Sequence, residues 1–202
     1  MSRIAVIDDQ EDVRRALGEM LDAYGYDVAL FDAAEAFLAA AAQDGFGCVI
    51  SDVRMPGMDG ISLVRRLAAH GSSPAVILIS GQADVPMAVA AMKAGAADFI
   101  EKPVNDVLLI AAINRALARS ARTAPGSDVS ADMLARFARL TKRETEVFDL
   151  VADGHTSPSI AQRLSISART VETYRAQIME KLQLTSVAAL VRLAIRLGRV
   201  NT

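Results

Sequence analysis

The stretch Arg3-Ile4-Ala5-Val6-Ile7-Asp8-Asp9-Gln10 sets a strand-like apolar run directly against two adjacent carboxylates. Four apolar residues in succession suit a strand covered on both faces. Paired acids repel each other and resist leaving water, so either they are solvated at a strand end or a cation serves them. The rest of the chain decides between these readings.

Working outward from this first run, residues 4–8, similar strand-like runs occur at 27–31, 48–52, 76–80 and 98–101. Between them the apolar residues take helical spacing: Val13/Leu17/Leu21, Ala34/Phe37/Leu38, Ile61/Val64/Leu67 and Met87/Ala91. A fifth helical segment runs from Val104 to about Ser120. Strict alternation of this kind predicts an α/β domain with a parallel sheet, helices on both faces and right-handed crossovers. In open parallel sheets the ligand crevice lies beyond the carboxyl ends of the strands. The residues at those ends are Asp8 and Asp9, then Asp52, Ser80 and Glu101-Lys102.

The 202 residues suffice for two modest domains. Just over half of them are apolar, enough for two cores. The single cysteine, Cys48, forms no internal disulfide and reads as plain core. With no signal-like start and no apolar run of bilayer length, a cytoplasmic protein is expected. The net charge of -2 conceals an asymmetry. Residues 1–120 hold 10 Lys/Arg against 16 Asp/Glu, and residues 121–202 hold 12 against 8, so an acidic half precedes a basic one. A basic half often meets nucleic acid.

These features divide the chain into an α/β domain over 1–120, a linker with a helix from about Ser130 over 121–139, and an all-α domain over 140–202. The linker begins Ala121-Arg122-Thr123-Ala124-Pro125-Gly126-Ser127-Asp128, rich in small residues and turn formers. Helical patterns fill the last domain at 142–153, 158–164, 168–182 and 186–197.

At the strand ends three carboxylates form an oxygen-rich cradle suited to Mg2+, which keeps several waters and takes one or two protein carboxylates. Lys102 adds a fixed positive charge for an incoming phosphoryl oxygen, and Ser80 a hydroxyl. A carboxylate nucleophile, Mg2+ and a lysine are the parts that accept a phosphoryl group. Asp52 fits the nucleophile best, at the end of the expected central strand and before the loop Val53-Arg54-Met55-Pro56-Gly57-Met58-Asp59-Gly60. Any one of these residues alone reads as a solvated strand end or loop flank; five at corresponding ends do not. Asp59 and Asp98 read as solvated loop and strand-start acids.

On "VIDD", "CVISDVRMPGMDG", "ISGQADVPMAV" and "MKAGAADFIEKP", residues 1–120 resemble a receiver domain of bacterial two-component response regulators, of the FixJ type. The resemblance implies a flavodoxin-like fold with sheet order 2-1-3-4-5 and phosphorylation of Asp52 by a cognate sensor histidine kinase. It implies Mg2+ held by Asp9, Asp52 and the Arg54 backbone carbonyl, with Asp8 acting through a water. It implies that Ser80 turns toward the phosphate, that Phe99 moves inward as an aromatic switch, and that Lys102 pairs with the phosphate. A cis peptide at Lys102-Pro103 is also implied. Three positions depart from the common pattern: Gln10 replaces a frequent third acid, Ser80 a threonine, and Phe99 a tyrosine.

Within "TSPSIAQRLSISARTVETYRAQIMEKL" two helices meet at a turn. Ser157 reads as an N-cap with Pro158 at the first helical position. Ser165-Ile166-Ser167 makes the turn, with Ile166 plugging the corner and Ser167 capping the second helix. That helix buries Val171, Tyr174, Ile178 and Leu182. Its opposite face presents Arg169, Glu172, Thr173, Ala176 and Glu180, flanked by Thr170, Gln177 and Lys181; Arg175 lies nearer the buried side and reaches phosphate only by snorkelling. This is a helix-turn-helix pattern, whose second helix enters the major groove; a structural αα-hairpin is the plain alternative. Candidate DNA contacts are Ser167, Arg169, Thr170, Glu172, Thr173, Arg175, Ala176, Gln177 and Lys181. Few aromatics are available for base stacking, which disfavours RNA or single strands. Residues 140–200 resemble the LuxR/FixJ-type DNA-binding domain through "LTKRETEVFDLVADG", "IAQRLSISARTVETYRAQIMEKL" and "SVAALVRLAIRLG". That implies four helices, with 168–182 as recognition helix and the last as a dimer face. Ser159 and Tyr174 depart from residues common in that family.

The expectation is therefore a transcription factor controlled by phosphorylation. A phosphoryl group on Asp52 would drive homodimerisation through the fourth helix, fifth strand and fifth helix (about Val85 to Ser120), placing two basic domains on double-stranded promoter DNA. Activation is expected over repression by family analogy. Beyond its own phosphorylation and dephosphorylation no enzyme activity is expected. A Mg2+-dependent phosphatase of the haloacid-dehalogenase type is a rival, but its Asp-x-Asp is here Asp8-Asp9-Gln10 and no cap insertion follows. A DNA binder with a vestigial receiver is a third reading, disfavoured by the intact acid set.

Overall fold

The structure, a computed structural model, describes residues 3–40, 45–69, 74–81, 84–120 and 131–200. Five strands and five helices alternate first: β1 (Arg3–Ile7), α1 (Glu11–Ala23), β2 (Asp27–Phe31), α2 (Ala34–Ala39), β3 (Phe46–Asp52), α3 (Gly60–Ala68), β4 (Ala75–Ser80), α4 (Val85–Lys93), β5 (Asp98–Glu101) and α5 (Asp106–Ser120). Five helices follow: α6 (Ala131–Phe137), α7 (Lys142–Ala152), α8 (Ser157–Leu164), α9 (Ala168–Leu182) and α10 (Val187–Arg196). The predicted linker residues 121–130 lie outside the described residues. The chain divides into two compact units, Met1–Gln82 with Ala94–Thr123, and Ala83–Lys93 with Ala124–Thr202. Among the described residues no helix is long and apolar enough to cross a membrane.

The five strands form one parallel sheet in the order β2-β1-β3-β4-β5, as the alternation and the resemblance together imply. Ile4, Val6, Cys48, Ile50, Ile77 and Ile79 share one core with Leu17 and Leu21 of α1 and Leu109, Ile113 and Ala116 of α5. The alternate residues Ala5, Ile7, Val49 and Leu78 are buried too, at 1% exposure or less. Both faces of the central strands are therefore covered, and each buried branched side chain contributes about 1.5 to 3 kcal/mol before entropy is counted.

The ladder runs on past the strand ends. Asp8 N–H donates to Phe31 O at 3.2 Å, Val53 N–H to Ile79 O at 2.9 Å, and Lys102 N–H to Ser80 O at 2.8 Å. Sheet hydrogen bonding thus holds the backbone at or next to every strand end that carries a candidate site residue. The Lys102–Pro103 peptide is cis, as the resemblance implies.

The helical unit starts α7 with a capping box: Thr141 Oγ1 accepts from Glu144 N–H at 3.3 Å and the Glu144 carboxylate accepts from Thr141 N–H at 2.8 Å. Val147, Phe148 and Val151 of α7, Ile160 of α8, Val171, Ile178 and Leu182 of α9, and Leu190 and Leu193 of α10 form its core. The α8–α9 turn follows the sequence reading. Ser165 takes the left-handed conformation at φ 53°, Ile166 packs on the core, and Ser167 Oγ caps α9 by accepting from Thr170 N–H at 3.0 Å. The expected start of α8 shifts by one residue: Thr156 holds the cap position and Ser157 is the first helical residue.

Candidate functional site

The strand-end edge brings two of the three predicted acids together. Asp8 and Asp52 are 1% and 8% exposed, and both meet the Lys102 ammonium: Nζ lies 2.8 Å from Asp8 Oδ2 and 2.6 Å from Asp52 Oδ1. Their remaining oxygens are also served. Asp8 Oδ1 accepts from Gln10 N–H at 2.9 Å, and Asp52 Oδ2 accepts from Arg54 N–H at 2.6 Å. Burial works against the charged lysine, but hydrogen bonds and charge from Asp52 and Asp8 outweigh it and hold its pKa above the ordinary lysine value. Ser80, at the end of β4, is 1% exposed.

Asp9 departs from the expectation of three converging carboxylates. It is exposed, and among the described residues no three His, Cys, Asp or Glu side chains stand together as a metal cluster would. Lys102 takes the place between the buried pair, where its single positive charge offsets one of the two negative ones, and Asp9 stays in water. The candidate metal donors at the edge are carboxylate oxygens, those of Asp8 and Asp52 buried and those of the neighbouring Asp9 exposed. That set fits a hard cation that keeps waters and takes one or two carboxylates.

Two further expectations change. Asp98 is 5% exposed and paired with Arg115 at 2.9 Å; a partner one helix away makes its burial tolerable. Asp59 is exposed as expected, yet its side chain caps α3 by accepting from Ser62 N–H at 2.6 Å. Phe99 is 6% exposed, so its ring already lies inside and the expected inward swing has no outward starting point here.

Sequence reasoning passed over two residues that brace the edge. Arg14, one turn into α1, donates to Asp8 O at 2.6 Å. Glu35 of α2 accepts from Met58 N–H at 2.8 Å and so ties down the loop between β3 and α3. Arg14 lies six residues after Asp8 and reaches its backbone carbonyl, and neither it nor Glu35 carries a local sequence signal.

In the helical unit α9 exposes Arg169, Glu172, Thr173, Ala176 and Glu180, the predicted outer face, together with Gln177 and Lys181 of its flank. Tyr174 is only half-buried, whereas Val171, Ile178 and Leu182 are fully buried. Several candidate DNA contacts also have partners within the protein. Ser167 and Thr170 join hydroxyls at 2.7 Å, and Thr173 Oγ1 donates to Arg169 O at 3.0 Å. Lys181 Nζ lies 2.7 Å from both Glu144 oxygens. Glu172 and Arg175 pair at 2.9 Å, and both reach Ser157.

Comparison with known proteins assigns both units. Residues 4–114 match the response regulator receiver domain family, and residues 138–194 match the LuxR family of bacterial regulatory proteins. The chain is 46% identical to the transcriptional regulatory protein FixJ of Bradyrhizobium diazoefficiens, over 98% of this chain and 97% of that protein. It is 43% identical to FixJ of Rhizobium meliloti, over 96% of each. The crystal structure of full-length FixJ from B. japonicum aligns with a TM-score of 0.57 at 46% identity, covering 99% of this chain and 98% of that one. The buried acid pair at the sheet edge, the helix-turn-helix behind it in sequence and these full-length matches make the chain a member of the two-component response regulators that join a receiver domain to a LuxR-type DNA-binding domain.

Proposed function

We propose that Asp52 is the phosphoacceptor of this DNA-binding response regulator and that a sensor histidine kinase supplies the phosphoryl group. The observation that carries the proposal is the Asp52 carboxylate itself, almost buried at the end of β3 with Oδ1 against the Lys102 ammonium and Oδ2 on the Arg54 amide. An Asp52 oxygen attacks phosphorus, the bond to the donor imidazole breaks, and the imidazole leaves with a proton; an acyl phosphate remains. Lys102, already between Asp8 and Asp52, pairs with a phosphoryl oxygen as charge moves onto the acceptor.

Mg2+ would be held by Asp9, Asp52 and the Arg54 carbonyl, with Asp8 acting through water. When bound, it supplies charge neutralisation to the phosphoryl oxygens. Ser80 and the buried Phe99 register the new group from β4 and β5. The α4–β5–α5 face then pairs two copies and sets two α9 helices on promoter half-sites. The protein turns over no external substrate beyond its own acyl phosphate, and its location in the cytoplasm follows from a kinase and DNA as partners. Its action is transcriptional activation.

Incubation with a small acyl-phosphate donor and Mg2+ tests the core of this reading. Wild type should gain one hydroxylamine-labile phosphoryl group by intact mass and Asp52→Asn none; a labile acyl phosphate persisting on the variant refutes the assignment. Footprinting on genomic DNA with and without the donor tests the regulatory step, which should show longer protected sites after phosphorylation.

A further inference from the structure

The helix-turn-helix carries a polar network that its apolar core does not require. Ser157 is the first residue of α8, and Thr156 takes the cap position before it without a side-chain hydrogen bond. The Ser157 hydroxyl is spent elsewhere. Ser157 is 8% exposed; its hydroxyl donates to Glu172 Oε1 and accepts from Arg175 Nη1 at 3.1 Å. Arg175 Nη1 also donates to Glu172 Oε1 at 2.9 Å, which closes a three-membered ring of contacts between α8 and α9. Arg175 is turned inward with 22% of its side chain exposed, against 57% for Glu172.

Apolar packing between the two helices rests on Ile160 and Ala161 of α8 and Val171 and Ile178 of α9. Such packing is non-directional and tolerates small rotations of a helix about its axis. Hydrogen bonds to a charged pair are directional and do not. We infer that Ser157, Glu172 and Arg175 are positioning residues that fix the rotation of α9 on α8, and so aim the exposed Arg169, Thr173, Ala176 and Gln177 at the major groove. Glu172 and Arg175, which the sequence marks as DNA contacts, act through the helix and not on the DNA. The inference rests on the DNA-binding family of the second unit and is independent of phosphorylation.

The test uses the full chain and two duplexes, one recovered by the wild-type protein from a random-sequence pool and one scrambled. Ser157→Ala and Glu172→Ala should each lower the preference for the recovered duplex by about three- to tenfold, as expected for a charged hydrogen bond spread over a network. The double variant should lose no more than the larger single loss, because both substitutions break one network. Glu172→Gln, which keeps the acceptor oxygen, should retain the preference. The slope of log affinity against log salt should be unchanged in all of them. Relaxed selection at a single base pair in Glu172→Ala, with Ser157→Ala neutral, makes Glu172 a base reader and overturns the inference. A salt slope lower by about one in Arg175→Gln makes Arg175 a phosphate contact and overturns it too. So does a lower melting temperature with unchanged preference, which reduces the network to stability alone. Should Ser157→Ala fail to fold, Glu172→Ala at its half-exposed site carries the same readouts by itself.

Discussion

Replacing Lys102 with methionine removes the one ammonium that stands between two buried carboxylates. Oxygens 2.8 and 2.6 Å from a common nitrogen lie no more than about 5.4 Å apart. At an effective dielectric near 20, two unit negative charges at that separation repel by about 3 kcal/mol. In the wild type the ammonium offsets this. Because the Lys102 pKa is raised, its contribution is complete below the ordinary lysine range and is lost only as pH climbs through the raised value. At neutral pH, in Mg2+-free buffer, Lys102→Met should therefore lower the stability of the first unit by about 3 kcal/mol. The chain has two units, so one unfolding curve mixes them. Amide exchange of the β1 and β3 core reads the first unit alone. Adding Asp8→Asn to Lys102→Met should return most of the loss, and Mg2+ should stabilise the single variant more than the wild type. A Lys102→Met protein within about 0.5 kcal/mol of wild type, the range of an ordinary surface substitution, would refute the reasoning.

Three further predictions concern other parts of the chain. A Cβ at Gly60 would collide with the Asp52 carbonyl oxygen and stand 2.9 Å from Leu78 Cδ2; Gly60→Ala should cost more than about 2 kcal/mol by amide exchange and slow acyl-phosphate formation on Asp52. Glu144 is 2% exposed; burial works against its charge, but Lys181 and Thr141 hydrogen bonds prevail and hold its pKa below the usual value. That stability is present above the ordinary glutamate pKa and is lost as pH falls through the lowered one, and Glu144→Gln should cost about 2 to 3 kcal/mol at neutral pH by amide exchange of the α7 and α9 core. Burial pushes the Cys48 thiol up to about 12, so alkylation at neutral pH should track unfolding of the first unit; rapid labelling of the native protein would contradict it.

The sheet was legible because periodicity and strand ends are local properties. Runs of branched residues closing on Asp8, Asp52 and Ser80 locate both the layer and its reactive edge without any knowledge of partners. The turn at Ser165–Ser167 was legible for the same reason, since cap and corner lie within a few residues. What stayed hidden depends on residues far apart in sequence. Asp98 looks solvated until Arg115 is brought beside it. Lys181 looks available for phosphate until Glu144, 37 residues earlier, receives it. Ser157 looks like a cap until Glu172 and Arg175 claim its hydroxyl. Asp9 looks equivalent to Asp8, and only the fold decides which of two adjacent acids turns inward to the lysine.

The continuation of sheet hydrogen bonding through Asp8, Val53 and Lys102 has a mechanical consequence. Those amides anchor the main chain at or beside the acid that would take the phosphoryl group, the second buried acid and the ammonium. A dianion arriving there cannot be relieved by letting the acceptor drift away. If Asp52 takes the phosphoryl group as proposed, the strain would pass outward to the helix starts and the connecting loops, which lie outside the sheet ladder.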